Sequence, residues 1–113
     1  MTLAEIAQTL DGTIVWGDPT AECKIRAVLA SDLMSDVLTS EADDLLLLTS
    51  LASDHAVSTA NMVCANCIAV LNNKPLHKKM IETAKTLKIP LISSPLPKYE
   101  ACVEVYKWLQ SVQ

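Results

Sequence analysis

The side chains able to do chemistry gather in a few short stretches of this chain. The densest is Ser31-Asp32-Leu33-Met34-Ser35-Asp36, two Ser-Asp pairs four residues apart, directly after the apolar run Ala27-Val28-Leu29-Ala30. Hydroxyls and carboxylates where a buried strand meets a short helix can hold a small polar ligand, and such strand ends are where open α/β folds place their sites. The same residue types also cap helices and satisfy free amides. A spacing of four sets both pairs on one side of a helix. His55 stands near the start of another predicted helix, where its imidazole could accept a hydrogen bond from a ligand. Asn72 follows a third apolar run, while Thr49-Ser50 and Ser93-Ser94 end two others. Ser31, Asp32, Ser35, Asp36, His55 and Asn72 are therefore the candidate ligand-binding residues, with Ser93 and Ser94 behind them. His77, beside Lys78 and Lys79, reads as a solvated side chain.

Four cysteines offer a second kind of chemistry. Cys64-Ala-Asn-Cys67 has the C-x-x-C spacing of zinc sites and redox dithiols, and Cys23 and Cys102 stand apart from it. A structural zinc needs two further ligands, and neither a second C-x-x-C nor an H-x-x-x-H is present. A thioredoxin-like pair belongs at a helix start, whereas this one ends a helix and opens a strand. Cys64 and Cys67 are expected to be structural and free of metal, with one or both in the core. No cofactor is implied.

Glycine is confined to Gly12 and Gly17. Phosphate-cradling loops and dinucleotide fingerprints need glycines so that backbone amides can approach the ligand, so neither can lie in this chain. The G-x-S-x-G nucleophile elbow is excluded for the same reason. No nucleophile–base pair is evident, and the chain is read as non-catalytic.

The elements that must position these residues follow from periodicity. Thr2-Leu3-Ala4-Glu5 is a capping box, and Leu3, Ile6, Ala7 and Leu10 form the apolar stripe of the helix it opens. Gly12 sits where a left-handed helix-ending residue belongs. Strands are predicted near 13–16, 23–30, 45–49, 67–71 and 91–93. Ser31 or Asp32 caps a brief helix through Leu38, and Ser53 or Asp54 caps one running to about residue 65. A helix carrying Leu76, Met80, Ala84 and Leu87 follows, then a last one carrying Ala101, Val105, Trp108 and Leu109. Short apolar strands alternating with helices predict a single α/β domain over residues 1–113, with a mainly parallel central sheet flanked by helices.

Half of the 113 residues are hydrophobic, yet Phe is absent and only Trp16, Tyr99, Tyr106 and Trp108 are aromatic, so the core must be aliphatic. No apolar run approaches the roughly 20 residues of a membrane span, and nothing resembles a signal peptide. A cytoplasmic protein without membrane partners is expected. The net charge of −4 is unevenly spread: up to Asp54 ten acids face only Lys24 and Arg26, and from His55 onward seven lysines face three glutamates. An acidic chain with one arginine is a poor nucleic-acid binder. The asymmetry suits association of unlike faces of two copies.

The stretch from Ala27 to Leu38, the acidic segment after it, and Leu45-Leu46-Leu47-Leu48-Thr49 resemble the DRTGG domain family. The resemblance continues through His55, the 67–71 strand and its turn, and Ile89-Pro90-Leu91-Ile92-Ser93-Ser94-Pro95. It covers about residues 24 to 109. The opening, with Leu3-Ala4-Glu5-Ile6-Ala7 and Leu10-Asp11-Gly12, also resembles the start of these domains and of the amino-terminal domains of Mur ligases. The resemblance implies the fold of the HPr kinase/phosphorylase amino-terminal domain. It implies a regulatory or ligand-sensing module, stand-alone and homodimeric, that binds a small metabolite or a partner enzyme. Where relatives carry Thr-Gly-Gly, this chain has Leu71-Asn72-Asn73. Asn best tolerates positive φ after Gly, so the turn itself is preserved while its side chains fill space that relatives leave bare. A small redox or metal-handling protein using Cys64 and Cys67 is the alternative.

Overall fold

The structure, a computed structural model, describes residues 1–112. In chain order its elements are α1 (Leu3–Thr9), β1 (Thr13–Trp16), β2 (Ala27–Ala30), α2 (Met34–Val37), β3 (Leu45–Thr49), α3 (Asp54–Met62), β4 (Cys67–Val70), α4 (Lys78–Leu87), β5 (Leu91–Ser93) and α5 (Lys98–Ser111). One five-stranded sheet runs in the order β1-β5-β4-β3-β2. β2, β3, β4 and β5 are parallel neighbours in sequence order, and β1 pairs antiparallel with β5. The mainly parallel α/β architecture predicted from the apolar runs is the one observed.

Alternation along the strands divides the core in two. Leu46, Leu48, Cys67, Ala69 and Ile92 face α1 and α5, packing with Leu3, Ile6, Leu10, Ala101 and Val105. Leu45, Leu47, Ile68, Val70 and Leu91 face the crossover helices, packing with Met34, Val37, Ala56, Val57, Ala60, Met80 and Ala84. β3 is buried along its whole length because helices cover both faces of the sheet. Burying each of these leucines contributes about 1.5–3 kcal/mol.

Three local expectations are corrected. The Thr2–Glu5 capping box forms, but the left-handed residue after α1 is Asp11 (φ 51°), not Gly12. Asp11 N–H reaches Gln8 O and Gly12 N–H reaches Ala7 O, the paired bonds of a Schellman ending. Glycine stands at position 12 because a Cβ there would lie 2.7 Å from Ser93 O and 2.8 Å from the Ile92 side chain. β2 is also shorter than predicted. Residues 21 to 23 leave the sheet to lace onto the chain start, with Leu3 N–H on Ala21 O and Cys23 N–H on Met1 O. Finally, α2 starts at Met34 and its N-cap is Leu33, so Ser31 and Asp32 precede the helix and only Ser35 and Asp36 lie on it. The two Ser-Asp pairs do not share a helix face.

Candidate functional site

The carboxyl ends of β2, β3 and β4 meet at one edge of the sheet, and Asp32 is the hub there. Its Oδ1 accepts from the Thr49 hydroxyl at 3.0 Å and the Ser50 amide at 2.6 Å. Its Oδ2 accepts from Lys98 Nζ at 2.7 Å, so the exit of β2, the exit of β3 and the start of α5 are tied to one carboxylate. Thr49 is wholly buried, and its hydroxyl oxygen also accepts from Leu51 N–H. The next link is Asn72 Nδ2, which donates to Ser50 Oγ at 2.6 Å. Burial works to raise the Asp32 carboxyl, but the Lys98 ammonium, the Ser50 amide and the Thr49 hydroxyl outweigh it and hold the group below the usual carboxylate range. The pair is half open to water, with side-chain exposures of 46% for Asp32 and 37% for Lys98.

Asn72 and Asn73 have φ of 61° and 53°, so the turn after β4 uses two left-handed asparagines where glycines would be the unstrained choice. Their amides are taken by Leu96 O and Ser94 O, which fastens the turn to the segment leading into α5. Ser31 Oγ accepts from Leu33 N–H, bending the chain from β2 toward α2. Ser35 and Asp36 are exposed on α2, and His55 is exposed on the first turn of α3. None of those three makes a side-chain hydrogen bond among the described residues. Ser94 is buried, donates to Leu10 O at 2.6 Å and accepts from Leu96 N–H, so it fastens α1 to the α5 approach. Ser93 is paired in the sheet with Thr13.

The sequence-predicted residues thus separate into two sets. Ser31, Asp32 and Asn72 are engaged at the strand ends, while Ser35, Asp36 and His55 stand free on the flanking helices. Lys98 completes the Asp32 hub and was not among the predicted residues. A signal for it exists: a lysine as the first residue of a helix faces the positive end of the backbone dipole and needs a compensating anion. Three surface cavities of about 740, 490 and 420 Å³ lie elsewhere, against α5 and α1, at the amino edge near Cys23, and between β2 and α5. None of the six predicted residues lines any of them.

The cysteines lie in unlike places. Cys67 is fully buried and Cys64 is exposed, at the end of α3 with φ 57°. The contact with Cys23 and complete burial push the Cys67 thiol well above its ordinary range, so it is a poor nucleophile and a poor metal ligand. Among the described residues no three His, Cys, Asp or Glu side chains converge as metal ligands. No helix among them is long and apolar enough to cross a membrane.

No protein-family model matches this chain, and no curated protein matches it. Among solved structures it is similar to the crystal structure of the CBS and DRTGG domains of the regulatory region of Clostridium perfringens pyrophosphatase, complexed with its activator diadenosine tetraphosphate. The TM-score is 0.72 at 14% identity, over 92% of this chain and 45% of that one. This chain therefore spans less than half the length of that structure, and at such identity the likeness is one of fold. The fold is DRTGG-like, in agreement with the resemblance carried by the residues from 24 to 109.

Proposed function

We propose that residues 1–113 act as one non-catalytic regulatory module, homodimeric, that senses a small anionic metabolite at the carboxyl edge of its sheet. The observation that carries this reading is the Asp32 hub. A ligand that competes for Lys98 or Asn72 loosens ties between β2, β3 and α5 at one place, which is how a local contact can bias a whole domain. Cationic and hydrogen-bonding groups gather at the same edge. Lys98 begins α5, and Lys74, His77, Lys78 and Lys79 lie between the Asn72 turn and the first turn of α4. Ser35, Asp36 and His55, without side-chain hydrogen bonds among the described residues, are available as direct contacts, Asp36 to hydroxyl or amino donors of the ligand and not to its anionic groups. Nucleotides are the first ligand class to test, because the structural neighbour is a regulatory region complexed with a dinucleotide activator.

Thermal shift and calorimetric titration with diadenosine tetraphosphate and nucleoside triphosphates test the reading. Saturable binding is expected, with Asp36→Ala and His55→Ala abolishing it while leaving the unliganded melting temperature nearly unchanged. Binding that survives both substitutions moves the site off this edge. A titration series that leaves the wild-type protein unaffected removes nucleotides as its ligand. Sedimentation equilibrium should give twice the 12.2 kDa chain mass. A monomer at every concentration overturns the dimer.

A further inference from the structure

The sheet has two edges, and they are built differently. β1 carries a register irregularity between Ile14 and Trp16 and runs into the Gly17–Pro19 turn, which spoils it as a template for another strand. β2 has none of these devices. Its four residues, Ala27, Val28, Leu29 and Ala30, include no charge and no proline, and all are only half buried. Exposed Leu33 lies past its end, and a 420 Å³ cavity lined by Val28, Ala30, Cys102, Tyr106 and Leu109 runs beside it under α5. Tyr106 at its rim is 65% exposed.

Hydrogen-bond parity says which groups that edge offers. Ala27 N–H and Ser31 N–H point inward to Asp44 O and Leu48 O of the β3 side, and the parallel register turns Leu29 the same way. The N–H and C=O of Val28 and Ala30 therefore point outward, without a strand to receive them.

We propose that two copies of this chain pair through β2, antiparallel about a two-fold axis, with Leu29 opposite the partner's Leu29. This deepens the homodimer reading above and rests on it. Two independent considerations select the same register. Only with Leu29 on the axis does Val28 face the partner's Ala30 on both sides, so that all four outward groups of each copy are bonded. Placing Val28 on the axis sets Ala30 against the partner's Arg26, whose N–H is already taken by Asp44 O, and placing Ala30 there sets Val28 against the partner's Asp32, beyond the end of the strand. The Leu29 register also sets Arg26 opposite the partner's Asp32 at both ends. Arg26 already binds Asp44, with Nε 2.8 Å from Oδ2, and Asp32 already binds Lys98. Pairing would extend these into an alternating row of cations and anions across the interface, where either neighbouring register sets Arg26 against an uncharged residue. The two cavities under α5 would meet at the axis and cover Tyr106 and Leu109 with apolar surface.

A cysteine crosslink tests the register. Residues facing each other without mutual hydrogen bonds in an antiparallel pair have Cα atoms about 4.5 Å apart, within disulfide reach. In a Cys64→Ser, Cys102→Ala background, Leu29→Cys should give a covalent dimer on mild oxidation, while Val28→Cys and the background protein should not. Val28→Lys, which leaves the monomer's own ladder intact, should weaken dimerisation about tenfold or more in sedimentation equilibrium while circular dichroism shows the fold retained. A wild-type dimer that neither crosslinks through Leu29→Cys nor weakens with Val28→Lys overturns this interface and leaves the homodimer reading standing. A wild-type monomer at tens of micromolar overturns both.

Discussion

Asp32 receives a buried hydroxyl, a backbone amide and an ammonium on one carboxylate, and these are not equivalent. The Lys98 pair is half exposed, and ion pairs of that kind contribute about 1 kcal/mol or less. The bonds from Thr49 and Ser50 fasten two strand ends, so their loss is the larger effect. Asp32→Ala should destabilise by about 1–2 kcal/mol in urea unfolding, and Lys98→Met by less than about 1 kcal/mol. Because its carboxyl titrates below the ordinary range when folded, the Asp32 contribution is complete above about pH 4 and disappears as pH falls through the depressed value. The stability gap between the wild type and Asp32→Asn should therefore be widest near neutrality and close on acidification. A gap independent of pH would assign the effect to packing. Ser31, Asp32 and Asn72 could be found from sequence because small polar residues directly after apolar strands have few places to go. Their partners could not be found in that way. Lys98 lies 66 residues beyond Asp32, and only the packing of α5 across the sheet brings the two together.

Elements ended where glycine would normally end them, but with other residues. Asp11, Asp44, Cys64, Asn72, Asn73 and Lys88 all have positive φ. With only two glycines in the chain, the usual marker of a helix end or tight turn is missing from the sequence. That is why strands and helices were legible from periodicity while the left-handed position after α1 was placed one residue late. Lys88 ends α4 at φ 59° with an exposed side chain, and Lys88→Gly should stabilise the protein by about 0.5–1 kcal/mol, read as a higher urea midpoint. Gly12→Ala should do the opposite by about 1–3 kcal/mol, because the intruding methyl meets the Ser93 carbonyl, a backbone atom with little room to yield. If both variants moved in the same direction, the conformational account of these two positions would fail.

The charge asymmetry of the whole molecule is partly satisfied inside one chain. Asp32–Lys98 and Asp54–Lys79 each join the acidic front half to the basic back half, at 2.7 and 3.8 Å. The proposed pairing of two copies therefore draws on local features of the surface and not on the opposed halves as such. The strand order was legible only in part: parallel neighbours follow from alternating strands and helices, but nothing in the sequence assigns β1 to β5. That placement has a kinetic meaning. β2 to β5 are joined by crossovers between adjacent strands, whereas β1 has its ladder only on β5, with Thr13 paired to Ser93, and α1 is held to the α5 approach by Ser94. Closing so long a loop late, onto a surface already formed, is the cheaper order in chain entropy. Ile6→Ala in α1 should accordingly speed unfolding and leave refolding nearly unchanged, while Leu47→Ala in β3 slows refolding, as stopped-flow chevrons would resolve. On this order the first sixteen residues are a clasp fastened last, and native-state hydrogen exchange should find it opening at a lower free energy than the parallel strands it closes.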